Sequence, residues 1–138
     1  EVKKKIKKFQ PRKPDAQDGT WRVQQVDVDR VQEFRKCIEC YLCQDVCHVL
    51  RDHQLHSEFI GPRFFVYTAN LEMNPIDTAD RLADLRDSCG IGYCNITKCC
   101  TKVCPEEIKI TDNAIIPLKE RVVDEFYDPL QKLFKIFK

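Results

Sequence analysis

Four cysteines in one short stretch constrain this chain more than anything else in it: Cys37, Cys40, Cys43 and Cys47, spaced Cys-x2-Cys-x2-Cys-x3-Cys. Three thiols two residues apart leave a single short loop, so they can take three corners of a compact polynuclear centre. The fourth, three residues on, falls on the helix leaving the loop and points away from those corners. The stretch therefore calls for a second group of cysteines elsewhere in the chain.

That group is Cys94, Cys100 and Cys104, followed by Pro105. Reading back from Cys104, the first spacing needs cysteines at 100, 97 and 94, and position 97 is Thr97. The second stretch is thus a copy of the first with one donor replaced. In two-cluster ferredoxins the last cysteine of each run ligates the other cluster. By that exchange Cys37, Cys40 and Cys43 join Cys104 as four ligands for a [4Fe–4S] cluster. Cys94 and Cys100 join Cys47 as three ligands, which suits a [3Fe–4S] cluster.

Nine cysteines in 138 residues would also fit a secreted disulfide scaffold, and Asn95-Ile96-Thr97 fits a glycosylation acceptor. Clustering argues the other way, because cysteines two apart are poor disulfide partners and good metal ligands. Structural zinc is the remaining alternative and would make the chain a colourless interaction module without redox activity. Zinc sites generally use well-separated ligand pairs, unlike a triple at x2 spacing repeated in the same frame. An iron–sulfur protein would be brown.

The net charge of +1 conceals an asymmetry, since residues 1–14 carry seven Lys and Arg against one Glu. A basic arm of this kind meets an acidic surface or stays solvated. Nucleic acid is not expected as a partner, because no aromatic residues interleave with the charge. No stretch approaches the roughly 18 apolar residues of a membrane span.

Few segments alternate polar and apolar residues, so the fold class expected is all-α: a helical, ferredoxin-like dicluster domain over 27–127 behind an extended arm, 1–26. Trp21 in the arm is expected to plug an apolar surface. Asp27 reads as the N-cap of a first helix, and 45–54 as a helix carrying Cys47 inward. Gly61-Pro62 opens another helix, proline suiting its first position, and Pro75 ends it. Asp77 reads as the cap of a helix running to Leu85. The stretch 96–103 reads as a helix placing Cys100 and Cys104 on one face. A further helix over 112–127 must start or kink at Pro117. Residues 128–138 read as an amphipathic helix with Leu130, Leu133, Phe134 and Phe137 on one face.

Cys89 and Cys99 are left over and read as buried free thiols. Adjacent helical residues diverge by about 100°, so Cys99 and Cys100 are not expected to face one cluster. His53 and His56 read as helix-surface residues. His48 draws more attention, because it follows the fourth cysteine where proline is usual.

With these residues in view, the chain resembles the C-terminal half of the iron–sulfur subunit of succinate dehydrogenase and fumarate reductase. Both cysteine runs and Phe59-Ile60-Gly61-Pro62 between them carry the resemblance, over about 27–127. It implies an electron-relay subunit of a succinate:quinone oxidoreductase or fumarate reductase, with substrate catalysis in another subunit. The implied partners are a flavoprotein (FAD) subunit, membrane anchor subunits and quinone, and the implied location is peripheral, at the cytoplasmic face of a bacterial membrane. The family's [2Fe–2S] domain has no counterpart here, since no cysteine precedes Cys37, and the chain is read as part of a longer subunit. His48 stands where the family places proline, and Asp52 where many relatives place tryptophan. By position His48, Asp52, Asn95 and Thr97 are the residues nearest the quinone. The runner-up is the electron-transfer subunit of a heterodisulfide-reductase-like or glycolate-oxidase-like complex, which normally keeps four cysteines in both runs.

Overall fold

Helix α4, Pro62–Glu72, is buried on nearly every side and the other elements are arranged around it. Its sequence, PRFFVYTANLE, is apolar all round rather than along one stripe, which is what a central helix requires. The computed structural model describes residues 1–129. Around α4 lie α1 (Gln25–Arg35), α2 (Leu42–Asp45), α3 (His48–Arg51), α5 (Leu82–Arg86), α6 (Cys99–Val103) and α7 (Ile116–Phe126). Short 3-10 turns cover Val2–Lys5 and Ile91–Tyr93, and a π-helical turn, Ile110–Ile115, runs straight into α7. Among the described residues there is no strand, only an isolated bridge between Pro11 and Asp77.

The stretch Phe59-Ile60-Gly61-Pro62 joins α4 to the first cysteine loop. Phe59 and Ile60 are buried. Gln44 of α2 donates from Nε2 to the Ile60 carbonyl and accepts the Arg63 N–H at Oε1, satisfying an otherwise orphaned amide of the helix start. Gly61 is left-handed, φ +86, and a Cβ there would lie 2.1 Å from Gln44 Oε1. Only glycine permits both at once.

Several helix starts differ from the expectation. α1 begins at Gln25, so Asp27 lies in its first turn, where it favours the helix dipole without capping an amide. α5 begins only at Leu82, whose N–H is taken by Asp80. Asp77 instead accepts from the Ala79 and Gln10 amides and pairs with Arg81. The expected 45–54 helix is broken at Cys47, and the expected 96–103 helix is shortened to α6. The expected amphipathic helix over 128–138 lies almost wholly outside the described residues.

Residues 6–24 contain no helix and run over the domain, held by buried Ile6, by backbone hydrogen bonds from Arg12 to Ile76 and from Thr78 to Gln10, and by one buried arginine. Arg81 is 1% exposed. It donates to the carbonyls of Lys7 and Lys8 at 2.8 and 3.0 Å and pairs with Glu72 and Asp77 at 3.1 and 2.7 Å. Lys3 and Lys7 also find carboxylates, Glu39 and Asp84, on the surface. Exposed pairs contribute about 0–1 kcal/mol each, whereas breaking a buried pair costs about 3–5 kcal/mol. Arg81 therefore fixes the arm and the lysines do not. Trp21 plugs no apolar surface: it is 37% exposed and donates from Nε1 to the Arg12 carbonyl within the arm.

Candidate metal centres

The two cysteine runs fold into the same backbone. Glu39 and Tyr41 in the first are left-handed, at φ 57 and 65; Ile96 and Lys98 at the matching positions have φ 58 and 61. Left-handed non-glycine residues are costly and gather where strain serves a site. Interleaved with ordinary residues they turn backbone amides toward an anion-binding concavity. Each loop then enters a one-turn helix, α2 or α6, carrying Cys43 or Cys100.

The fourth cysteine leaves that helix in an extended conformation in both copies. Cys47 has φ −73 and ψ 117, Cys104 φ −67 and ψ 116. This is the physical reason the expected longer helices fail. Extended backbone swings the thiol out of its own loop, so Cys100 and Cys104 do not share a face.

Two cavities result. The first is lined by Cys37, Cys40, Cys43 and Cys104 among Ile38, Val66, Ile108 and Ile110. The second is lined by Cys47, Cys94 and Cys100 among Val49, Phe59 and Ile115. Asn95, Thr97 and Cys99 line it too. Cys99 is therefore neither buried nor turned away, contrary to expectation: it is the first residue of a helix only five residues long, and it is partly exposed. Cys89 is fully buried outside both cavities, as expected.

Electrostatics tie the thiols together. Burial pushes the Cys43 thiol up to about 12, and Cys100, Cys37, Cys40 and Cys104 add to the rise. Helix α2, which carries Cys43, packs against α6, which carries Cys100. Burial also raises Cys47 and Cys100, with Cys99 and Cys94 as further neighbours of both. Such thiols ionise only when a metal takes the proton's place.

Residues invisible to motif reading complete the sites. Arg63, 3% exposed, lines the first cavity and pairs with Glu39. Its Nε is buried without a hydrogen-bond partner among the described residues. In the second site Thr111 Oγ1 lies 3.4 Å from Cys100 Sγ. Thr111 accepts from the Thr101 hydroxyl, and Thr101 accepts the Thr111 N–H, so the Thr111 proton is left for sulfur. Lys119 of α7 donates to the Cys94 carbonyl at 2.7 Å, and Lys98 pairs with Asp112. Nothing in the spacing signals Arg63 or Thr111; each reaches its cavity from another part of the fold.

His48 and Asp52 stand at α3, outside the lining of the second cavity. His48 Nδ1 lies 2.7 Å from Asp52, and Arg51 donates to the same carboxylate at 2.8 Å. The Arg51 hydrogen bond, then His48, holds the Asp52 carboxyl well below its usual range. Thr97 and Asn95 sit on the exposed rim beside Ile96 and Tyr93, 40% and 51% exposed. His53 and His56 are exposed and line neither cavity.

Among the described residues no three His, Cys, Asp or Glu side chains converge on a point fit for one metal ion. The thiols are spread around two apolar-walled cavities instead. That donor set, with an orphaned guanidinium N–H at the first, fits compact anionic iron–sulfur clusters better than mononuclear zinc. None of the described helices is long and apolar enough to cross a membrane.

Residues 36–109 match the family model of the 4Fe-4S dicluster domain. The chain is similar to a subunit of the fumarate reductase (CoM/CoB) of Methanothermobacter marburgensis, 31% identical over 120 residues, which are 87% of this chain and 24% of the relative. It is also similar to the fumarate reductase iron-sulfur subunit of Mycobacterium tuberculosis, 29% identical over 97 residues, 69% of this chain and 38% of that one. Among solved structures a chain of the Mycobacterium smegmatis Sdh1 complex in the apo form superposes with a TM-score of 0.85. It is 60% identical and covers 93% of this chain, which spans 54% of it. The chain thus spans between about a quarter and about half the length of these relatives. With the doubled loop and these likenesses together, the chain belongs to the 4Fe-4S dicluster domain family.

Proposed function

We propose that this chain is the dicluster part of an electron-transfer subunit, relaying electrons between a flavoprotein (FAD) subunit and membrane quinone in succinate oxidation or fumarate reduction. The observation that carries it is the sorting of the runs into two adjoining cavities, one with four thiols in register and one with Thr97 in the place of the fourth. Cys37, Cys40, Cys43 and Cys104 hold a [4Fe–4S] cluster; Cys47, Cys94 and Cys100 hold a [3Fe–4S] cluster. Bound there, the clusters supply one-electron transfer. The protein's own part is to space them, wall them with apolar side chains and aim donors at sulfur. The packing of α2 on α6 brings the two cysteine runs side by side.

The first loop carries ion pairs from Glu39 to Lys3 and Arg63, with Ile38, Tyr41 and Leu42 exposed beside them. The second presents a rim of Tyr93, Asn95, Ile96 and Thr97, apolar enough to meet an anchor subunit and quinone. His48 and Asp52 are the further quinone-proximal residues, reached across α3. The arm, 1–26, precedes the dicluster domain, 27–127, and the tail, 128–138, follows it in sequence. The complex is peripheral, at the cytoplasmic face of a bacterial membrane. A heterodisulfide-reductase-like role would want a cysteine at position 97.

Purification from native membranes tests this reading. The protein should copurify with a flavoprotein and a membrane subunit. Its EPR should show a three-iron signal when oxidised and a four-iron signal when reduced. Recovery as a fully active monomer, or as a colourless zinc protein, would refute it.

A further inference from the structure

Thr97 leaves the second cavity short of a cysteine at the repeated position, yet that cavity has a fourth thiol. Cys99 lines it together with Cys47, Cys94 and Cys100. Its Sγ lies 3.3 Å from Thr97 Oγ1, so thiol and hydroxyl stand at the same corner. The backbone shared by the two loops does not demand a thiol there. The matching residue of the first loop is Leu42, which takes no part in lining the first cavity.

Position explains why Cys99 is not a permanent ligand. It opens α6 directly after left-handed Lys98, one residue from Cys100, so both thiols share one turn. It also stays partly exposed rather than sealed in the cavity wall. A soft thiolate nonetheless outranks the Thr97 hydroxyl for iron.

We propose that Cys99 is a conditional fourth ligand of the second cluster, so that this site passes between three and four irons. The inference rests on the three-iron reading of that site given above. In the forward step one ferrous ion enters the reduced three-iron cluster. The Cys99 thiol releases its proton to solvent and its sulfur binds the new iron; no electron changes hands. The reverse step needs a one-electron oxidant such as ferricyanide: one electron leaves, the ferrous ion departs, and the Cys99 sulfur takes back a proton.

The test uses the protein in its native complex, purified anaerobically and oxidised. It is then reduced with dithionite, given excess ferrous ion enriched in the Mössbauer-active isotope, and desalted. Wild type should gain one iron per chain and lose the three-iron EPR signal on mild reoxidation, while Cys99→Ser gains none. Alkylation with iodoacetamide, mapped by mass spectrometry, supplies a readout that needs no variant: Cys99 should be modified before iron uptake and protected after it. Equal uptake by Cys99→Ser and wild type, no uptake by wild type, or equal alkylation before and after would each overturn the inference. In those cases the three-iron signal of the oxidised protein still stands. A wild-type protein with no three-iron signal when oxidised would overturn the underlying assignment, and this inference with it.

Discussion

The first and second cysteine loops share a backbone and differ in almost everything attached to it. Tyr41 and Lys98 occupy the same left-handed position, but Tyr41 packs edge-on against Phe64, whereas Lys98 is held by Asp112. Glu39 is tied to Lys3 and Arg63; its counterpart, Ile96, stands on an open rim. Cys40 matches Thr97, and Leu42 matches Cys99. The first loop therefore has a thiol at every repeated position and is crossed by ion pairs, and the second has Thr97 at one of those positions and no such pairs at Ile96. A duplicated frame fixes where ligands are placed, and the residues on it decide iron number, potential and access.

Exchanging the last cysteines tests the comparison hardest. Cys104→Ser should abolish the four-iron cluster of the distant first loop, and Cys47→Ser the three-iron cluster of the second, each read as loss of one EPR signal. Damage confined to the loop nearest in sequence would mean the cavities do not bind as they are lined.

Making the loops alike comes next. Thr97→Cys restores the spacing, so the oxidised three-iron signal should vanish, a second reduced four-iron signal should appear, and quinone reduction should slow. A surviving three-iron signal would show that the side chain at 97 does not set the iron count.

Arg63→Met removes the guanidinium from the first cavity while keeping its length. With a positive charge gone, reduction becomes harder, and the midpoint potential of the four-iron cluster should fall in an EPR-monitored titration, the three-iron value staying put. Movement of both potentials together would indicate a general loosening instead.

The smallest effect concerns Thr111. Thr111→Val removes the hydroxyl proton from Cys100, so the second cluster should fall in potential and lose about 10-fold in stability to chelator, as outer-shell partners of metal ligands typically do. No change in either quantity would leave the Thr101–Thr111 pair a packing feature only.

Spacing along the chain determined what local covalent geometry can determine: which cysteines group, that each fourth thiol crosses to the other group, that position 97 lacks a donor, and that Gly61-Pro62 starts a helix. These depend on reach over a few residues, and so they were legible. Where helices began was less so, because Asp27 and Asp77 are competent caps whose carboxylates were claimed by other tasks. Tertiary structure alone decided the rest. Cys99 entered the second cavity because it is the first residue of α6, directly after left-handed Lys98, where the chain comes in from the loop rather than from a preceding helical turn. Arg63 reached the first cavity because α4 is buried on all sides and leaves its charge nowhere else to go. The basic arm, which composition presents as a tail for a partner, is strapped to its own domain by Arg81, whose carbonyl acceptors lie more than seventy residues away. A buried charge must find its acceptors wherever packing brings them, and no spacing rule along the chain records that.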